Sequence, residues 1–276
     1  MERTCDRLTV EAVRRQLATD VVGHHLYLFG TVASTNCVLA ELAERGATEG
    51  TVVLAEAQTA GRGRHGAAWF SPDIANLYAS VLFHPRIAPR ALPLFAPIAS
   101  LALAEAVWLH GGAARIKWPN DVVVDGRKLG GALVHAPVIS DRVAYVILGI
   151  GINLNVDRAE LAAGLGALAG DATSLREVLG HEVDRNTFTA SLLNRLEHWH
   201  HTFVRRGPAA IMTAWQARDA LKGCRVEVRT SGGVREGRCR GIETDGSLLV
   251  EDDAGQQHHI LAGAVRVLEQ AKPGDD

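Results

Sequence analysis

The sequence predicts an α+β protein that ends in a small all-β module. Up to about residue 221, strand-like runs such as Leu77–Phe83 alternate with apolar segments of helical length such as Leu92–His110. From residue 222 onward the pattern changes to short strands separated by turn dipeptides such as Asp245-Gly246. We therefore predict an N-terminal extension, a main domain and a small β-barrel, with the bounds 1–22, 23–221 and 222–270.

The composition is that of an ordinary globular protein. The chain has 276 residues, 47% of them hydrophobic, and a formal net charge of −2, enough for one large core and a small module. Near-neutral charge argues against a nucleic-acid partner. We find neither an apolar run of about 18 residues nor a leader in the amphipathic segment Met1–Asp20, so we predict a cytoplasmic protein without a membrane partner.

The cysteines predict neither a disulfide framework nor a zinc site. They lie far apart and form no C-x-x-C pair, so free thiols are expected. The four positions are Cys5, Cys37, Cys224 and Cys239.

The first elements are a helix over Thr9–Ala18 and a strand over His24–Phe29. The roughly 25 residues before this strand are too few for a winged or three-helix DNA-binding module. The polar triplet Ser34-Thr35-Asn36 then precedes an apolar helical face that ends at Gly46. This triplet could simply cap the helix, or it could offer polar groups to a ligand at the positive helix end.

The segment Gln58–Gly66 is rich in glycine and arginine and follows a strand over Thr51–Ala57. Glycine lets backbone N–H groups approach a ligand closely, and the forked donors of Arg62 and Arg64 match carboxylate or phosphate oxygens. The segment has neither the dinucleotide-binding nor the P-loop spacing. A solvated surface loop is the alternative interpretation, but the residue types favour a loop that covers an anionic ligand.

The segment Ile116–His135 predicts three strands, the last two joined by a hairpin at Asp125-Gly126. Lys117 stands out because it ends an apolar strand, where a lysine either extends to solvent from a sheet edge or has a function. Lys128 follows the hairpin turn, where a solvated lysine is the usual case.

The segment Val143–Asn155 predicts a buried strand whose glycines, Gly149 and Gly151, leave one face without side chains. That bare face could accept a ligand or another part of the backbone. The following region, Thr173–Leu221, is predicted to be helical. It contains His198, His200 and His201, which lack a third ligand type nearby and are therefore interpreted as surface residues rather than a metal site.

Four segments in one order resemble the biotin–protein ligase family. They are Ser34-Thr35-Asn36, AEAQTAGRGRHGAAWFSP (55–72), KWPNDVVVDGRKLGG (117–131) and GIGINLN (149–155). The resemblance extends from about Val21 to Leu268. It implies a catalytic domain related to class II aminoacyl-tRNA synthetases, with a mixed sheet and helices, followed by an SH3-like C-terminal domain.

The resemblance also implies an ATP-dependent enzyme. It would join biotin to AMP and then pass the biotinyl group to one lysine of a biotin carboxyl carrier domain of an acyl-CoA carboxylase. ATP and biotin are the implied substrates and Mg²⁺ the implied ion. The short N-terminal extension predicts the ligase type without a DNA-binding domain, and the sequence is compatible with a monomer or a homodimer.

Residues that match the family motifs are expected to form the site. The residues implied to contact biotin are Ser34, Thr35, Asn36, Gln58, Arg62, Gly63, Arg64, Lys117 and Gly131. The residues implied to contact the nucleotide are Arg62, Arg64, Trp69, Lys117, Asn120, Lys128 and Asn153. Arg62 and Lys117 are the expected catalytic cations, because biotin's carboxylate and the α-phosphate repel each other. The magnesium ligands stay unknown, with Asp121 as a candidate.

Two alternatives stand beside this hypothesis. A lipoate–protein ligase would share the fold and the acyl-adenylate chemistry, whereas a binding module would have kept the fold without catalysis. The GRGRHG and KWPND motifs favour the biotin form, and the presence of Arg62, Arg64 and Lys117 argues against a loss of catalysis.

Overall fold

The computed structural model describes residues 7–271, so Cys5 lies outside the described residues. It confirms the predicted fold class: helices flank a seven-stranded mixed sheet, and a five-stranded antiparallel sheet follows. The last helix before the second sheet ends at Gln216 and the next strand begins at Arg225, so the predicted domain boundary near residue 222 falls in the connecting segment.

The seven-stranded sheet forms the centre of the main domain. Its strands are β1 (Leu26–Val32), β2 (Val52–Gln58), β3 (Leu77–Phe83), β4 (Arg115–Lys117), β5 (Asp121–Val124), β6 (Arg127–His135) and β9 (Val146–Ile152). Their spatial order is β1-β2-β3-β9-β6-β5-β4. Strands β1 and β2 are parallel, and every other neighbouring pair is antiparallel. A small hairpin of β7 (Val138–Ile139) and β8 (Arg142–Val143) lies between β6 and β9 in the chain.

Helices cover both faces of this sheet, because the side chains of each strand alternate between the two faces. The helices are α1 (Val10–Arg14), α2 (Thr35–Glu44), α3 (Phe95–Leu109), α4 (Arg158–Leu165), α5 (Leu175–Leu179), α6 (Arg185–Arg206) and α7 (Pro208–Gln216). In β2, Val52 and Leu54 belong to the large core with α3 and α6, whereas Val53 packs with Leu39 of α2. Helix α2 covers only part of the second face, which leaves room for a cavity beside it.

The expectation that the chain has no apolar run of about 18 residues is corrected here, because the segment Pro89–Leu109 is long and apolar enough to cross a membrane by length and composition alone. However, 67% of its most apolar stretch is buried inside the protein. The segment therefore consists of the short 3₁₀ helix Pro89–Leu94 and the core helix α3 of this domain.

The C-terminal part forms the predicted small β domain. Its strands are β10 (Arg225–Thr230), β11 (Gly233–Ile242), β12 (Leu248–Glu251), β13 (Gln257–Ile260) and β14 (Ala264–Glu269). They lie in the order β13-β12-β11-β10-β14, so within the described part of the chain the sheet stays open between β13 and β14. This arrangement agrees with the expected SH3-like domain.

The first helix is shorter than the predicted Thr9–Ala18. It ends at Arg14, because tertiary contacts satisfy the backbone beyond it. The N–H of Ala18 donates to Asn194 Oδ1, and the N–H groups of residues 20–22 donate to the carboxylate of Glu197 on α6. Partners far along the chain thus replace the helical hydrogen bonds.

A buried ion pair connects the sheet to α6. Arg185 is fully buried, and its Nη1 donates to Glu56 Oε2 at 2.5 Å and to the carbonyl oxygen of Asn76 at 3.3 Å. The other oxygen of Glu56 accepts from the N–H of Leu8 at 3.0 Å. The pair therefore holds β2, α6, the segment before α1 and the segment before β3 together.

The interpretation of His200 as a surface residue is wrong. Its ring lies between Phe83, at 4.3 Å between ring centroids, and Phe95, at 6.4 Å. Burial lowers the pKa of His200 and outweighs the opposing effect of the carboxylates Glu49 and Glu197.

Because burial favours the neutral form of His200, the unfolded chain takes up the proton first as pH falls. We expect the free energy of unfolding to decrease as pH falls below about 6.5, the ordinary histidine value. Replacing His200 with Phe should weaken this acid sensitivity, while His198→Phe, at an exposed position on the same helix, should leave it unchanged. Urea unfolding of the three proteins at two pH values measures the difference. Equal acid sensitivity in all three would contradict the assignment.

Candidate active site

A cavity of about 290 Å³ lies on the sheet face that α2 partly covers. Its walls come from the start of α2, the end of β2, the loop after β2, strands β4, β6 and β9, and the C-terminal domain. Its volume is close to the lower end of the range for small-molecule pockets.

The cavity brings together nearly all residues that the sequence motifs single out. The predicted residues that line it are Ser34, Thr35, Asn36, Gln58, Arg62, Gly63, Arg64, Trp69, Lys117, Asn120, Lys128 and Gly131. They come from three distant segments of the chain, and the fold places them around one space.

Asn153 is the predicted site residue that does not line the cavity. Its side chain donates to the carbonyl oxygen of Thr173 at 3.0 Å and accepts from Asn76 Nδ2 at 3.3 Å. Its own carbonyl oxygen accepts from the N–H of Leu175 at 2.9 Å. In this structure Asn153 therefore links the end of β9 to α5, and its nucleotide contact stays a prediction.

One end of the cavity is polar and uncharged. Gln58 Oε1 accepts from the backbone N–H of Thr35 at 2.9 Å, and Gln58 Nε2 donates to Ser71 Oγ at 3.3 Å. Ser34 occupies the N-cap position of α2, yet its side chain makes no capping hydrogen bond among the described residues. Helix capping alone therefore does not explain the triplet, whose three residues line the cavity.

The bare face of β9 accommodates two side chains of the protein itself. A Cβ atom on Gly151 would lie 2.6 Å from the indole ring of Trp69, and one on Gly149 would collide with the side chain of Asn36. Both glycines line the cavity. Close packing and ligand space, the two interpretations of this strand, therefore occur together.

The glycine-rich loop is a short hairpin that stands over the cavity. The backbone N–H of Trp69 donates to the carbonyl oxygen of Gly61 at 2.9 Å, and the backbone N–H of Gly63 donates to the carbonyl oxygen of Ala67 at 2.7 Å. At the tip, His65 and Gly66 have positive φ angles of 54° and 77°. The hairpin pairing fixes the loop base, and the turn at its tip uses the left-handed conformation, which glycine adopts readily and His65 adopts at some cost.

The C-terminal domain contributes one wall of the cavity, which sequence reasoning missed. Its segment Gly263–Val265 lines the cavity, and the carbonyl oxygen of Gly263 accepts from Arg64 Nη1 at 3.2 Å. No local pattern in the segment marks it as part of a site. Burial lowers the pKa of Arg64, and the nearby carboxylate of Asp121 opposes that shift.

The other end of the cavity is cationic. Lys128 forms an ion pair with Asp121 at 2.6 Å and lies over the Trp69 ring at 5.4 Å. Local sequence alone favours a solvated position for Lys128, but the fold directs it into the cavity.

The charges of the lining residues favour an anionic ligand. The cations are Arg62, Arg64, Lys117 and Lys128, whereas the lining carboxylate is Asp121. A ligand that suits the whole cavity has an uncharged polar group at one end and negative charge at the other.

Comparison with known protein families assigns the chain to a class of enzymes. Residues 28–153 match the model of the biotin/lipoate A/B protein ligase family, and residues 223–267 match that of the biotin protein ligase C-terminal domain. The class of this chain is therefore that of the biotin and lipoate protein ligases.

Comparison with individual proteins narrows this assignment. The chain is 35% identical over 230 residues to the biotin–[acetyl-CoA-carboxylase] ligase of Paracoccus denitrificans, covering 81% of this chain and 93% of that protein. It is 32% identical over 276 residues to the protein of the same name from Mycobacterium tuberculosis, covering 94% and 97%. The structure of the Aquifex aeolicus biotin protein ligase in complex with biotin and ATP superposes with a TM-score of 0.73 at 26% identity, covering 90% and 100%. The chain belongs to the biotin protein ligases of this family.

The contact between Gly151 and Trp69 can be tested by adding one methyl group. Gly151→Ala should lower the free energy of unfolding by about 1–3 kcal/mol, because the new Cβ overlaps the indole ring. Gly30→Ala is the matched control, since a Cβ at this strand glycine meets nothing within 4 Å. Urea unfolding of both variants gives the comparison. Equal free energies of unfolding for the two variants would show that the close packing of Trp69 against Gly151 does not contribute to stability.

Proposed function

We propose that this protein activates biotin with ATP to biotinyl-5′-AMP and then transfers biotin to a specific lysine of a biotin carboxyl carrier protein domain. One observation carries the proposal: a single cavity in a biotin protein ligase fold joins a polar, uncharged end to a cationic end. Biotin has the matching form, with a neutral cyclic urea at one end and a carboxylate at the other. The carboxylate must meet ATP, whose phosphates add further negative charge.

In the first step a carboxylate oxygen of biotin forms a bond to the α-phosphorus of ATP. The bond from the α-phosphorus to the oxygen that bridges to the β-phosphate breaks, and pyrophosphate leaves. Two anions must approach each other, so fixed cations lower the barrier by stabilising charge as it develops. We assign this role to Arg62, Lys117 and Lys128, which line the cavity, and Asp121 forms an ion pair with Lys128.

In the second step the neutral amine of the carrier lysine attacks the acyl carbon, and AMP leaves. The enzyme needs no side-chain nucleophile for this step, because the substrate supplies the attacking group. The mixed anhydride would hydrolyse in open water, so a cover over the cavity protects it. The hairpin between Gly61 and Trp69, with Arg64 held on the C-terminal domain, is suited to that role.

Magnesium is part of the proposal through ATP. Among the lining residues Asp121 is the carboxylate, and Lys128 is already paired with it. Mg²⁺ is commonly held by one or two carboxylates together with substrate phosphates and water, so these residues fit an ion held mainly by ATP. Such an ion would neutralise phosphate charge.

The partner we propose is the biotin carboxyl carrier domain of an acyl-CoA carboxylase. We further propose a cytoplasmic location, with neither nucleic acid nor membrane as a partner, and the main domain (23–221) as the catalytic unit. A homodimer is compatible with the sequence and can be tested by sedimentation.

Replacing Lys117 or Lys128 with alanine should slow adenylate formation by a factor on the order of 10²–10³, the usual effect of removing one donor that stabilises developing charge. Biotin-dependent exchange of pyrophosphate into ATP measures this half-reaction. Radiolabelled biotin transfer to a purified carrier domain measures the whole reaction.

The control for the lysine variants is Lys222→Ala, an exposed lysine between α7 and β10. Near-normal exchange in one cavity variant would remove that lysine from the mechanism. If the unaltered protein accepts lipoate in place of biotin, the lipoate ligase hypothesis replaces this one. If it activates neither acid, a non-catalytic binding function replaces both.

Replacing Arg64 with glycine should release biotinyl-AMP from the cavity, because the hairpin loses its contact with Gly263 and its cation. We expect increased labelling of lysines on an unrelated protein such as serum albumin, measured beside labelling of the carrier domain. Arg45→Gly, at an exposed arginine that ends α2, is the control. Unchanged selectivity for the carrier would contradict a retaining role for Arg64.

A further inference from the structure

Ser80 is a fully buried hydroxyl at the polar end of the cavity, and it is absent from the motifs discussed above. It lies on β3, with its side chain 0% exposed. Its Oγ is 2.6 Å from Asn36 Oδ1 and 2.8 Å from Thr35 Oγ1. Ser80 therefore contacts two of the residues that line the polar end without lining the cavity itself.

The proton of Ser80 fixes the orientation of the Asn36 amide. A serine hydroxyl has one proton, so it can donate to only one of its two neighbours. The carbonyl oxygen of Asn36 can only accept, and 2.6 Å is typical of O–H···O rather than N–H···O hydrogen bonds. Ser80 therefore donates to Asn36 Oδ1. The Thr35 hydroxyl then has Ser80 Oγ at 2.8 Å and Gln58 Oε1 at 3.2 Å as acceptors for its single proton. The Asn36 oxygen is engaged, and its Nδ2 group is the one available to a ligand.

The position of Asn36 is restrained from a second side. Ser80 on β3 is the cross-strand partner of Gly149 on β9. A Cβ at Gly149 would collide with the Asn36 side chain, so the amide lies directly against the strand backbone. The Asn36 amide is thus held between the Ser80 hydroxyl and the backbone of Gly149. Rotating or shifting the amide would break the hydrogen bond to Ser80.

We propose that Ser80 is a positioning residue that holds Asn36 as a hydrogen-bond donor toward the carbonyl oxygen of a cyclic urea. The inference rests on the proposed function and adds a source of specificity to it. A ligand with a urea carbonyl accepts from Asn36 Nδ2, whereas an acid that carries a dithiolane ring leaves that donor unpaired. Sites built to hydrogen-bond a ligand discriminate strongly against analogues that lack the partner group.

The test is Ser80→Ala, with the KM for biotin and the KM for ATP measured separately by pyrophosphate exchange. Loss of the hydroxyl leaves Asn36 Oδ1 without its donor, so we expect the KM for biotin to rise by about ten-fold or more. The KM for ATP and kcat at saturating biotin should change little. The preference for biotin over lipoate, as a ratio of kcat/KM values, should fall.

Ser100→Ala is the matched control. Ser100 is also 0% exposed, but its hydroxyl donates to the carbonyl oxygen of Ala96 within α3, in the large core on the opposite face of the sheet. Both variants remove a buried hydroxyl, so a purely structural effect would appear in both. Thermal unfolding of the unliganded proteins shows whether each variant folds.

A double-mutant cycle separates positioning from general loosening. If Ser80 acts through Asn36, Ser80→Ala should add little to the rise in KM for biotin that Asn36→Ala causes alone. Additive effects, or a KM for biotin that Ser80→Ala leaves unchanged while the unaltered protein activates biotin, would overturn this inference alone. An unaltered protein that shows no biotin-dependent exchange would overturn the proposed function as well.

Discussion

The site depends on the absence of side chains at two successive positions on one face of β9. Gly149 and Gly151 alternate with buried residues of the large core, so their missing side chains open space on the opposite face only. Asn36 and Trp69 occupy part of that space, one from the start of α2 and one from the hairpin. The cavity lies between them because nothing from the strand fills it.

A buried ion pair is the second constraint, and it fixes the position of β2, the strand that leads into the hairpin. Glu56 lies two residues before Gln58 and is paired with the fully buried Arg185. A buried ion pair carries a large desolvation cost, which the added hydrogen bonds from Leu8 and to Asn76 help to offset. Because the ion pair holds β2 in position, it also supports the contact between the carboxamide of Gln58 and Thr35.

The two ends of the cavity call for different physical properties. At the cationic end, charges of one sign lie close together, and only the carboxylate of Asp121 balances them among the lining residues. Binding of an anionic ligand would reduce the repulsion among the cationic side chains at this end. At the polar end, Thr35, Asn36, Gln58 and Ser80 are joined by hydrogen bonds, so their orientation is fixed before any ligand binds. Recognition at one end is thus a matter of charge and at the other a matter of direction.

Features that depend on local chemistry could be predicted before the fold was known. The hairpin at Asp125-Gly126 was predictable because both residues need positive φ angles, and they have values of 50° and 74°. The helical character of the region Thr173–Leu221 was also predictable, and this region contains the long helix Arg185–Arg206. Local chemistry also marked the loop with Arg62 and Arg64, since glycine and arginine in that pattern suit a loop over an anion. Most other residues that line the cavity were expected because their motifs resemble those of the biotin–protein ligase family.

Long-range packing determines which of those side chains reach the cavity and which contacts hold them, and local sequence does not reveal this. Lys128 lines the cavity and pairs with Asp121 although its local sequence favours a solvated lysine, and Asn153 joins β9 to α5. Gly263 and Ser80 take part without any local signal. His200 is buried because α6 lies against aromatic residues of β3 and α3. In each case the decisive contact joins segments far apart in the chain, so its geometry exists only after the sheet and helices have packed.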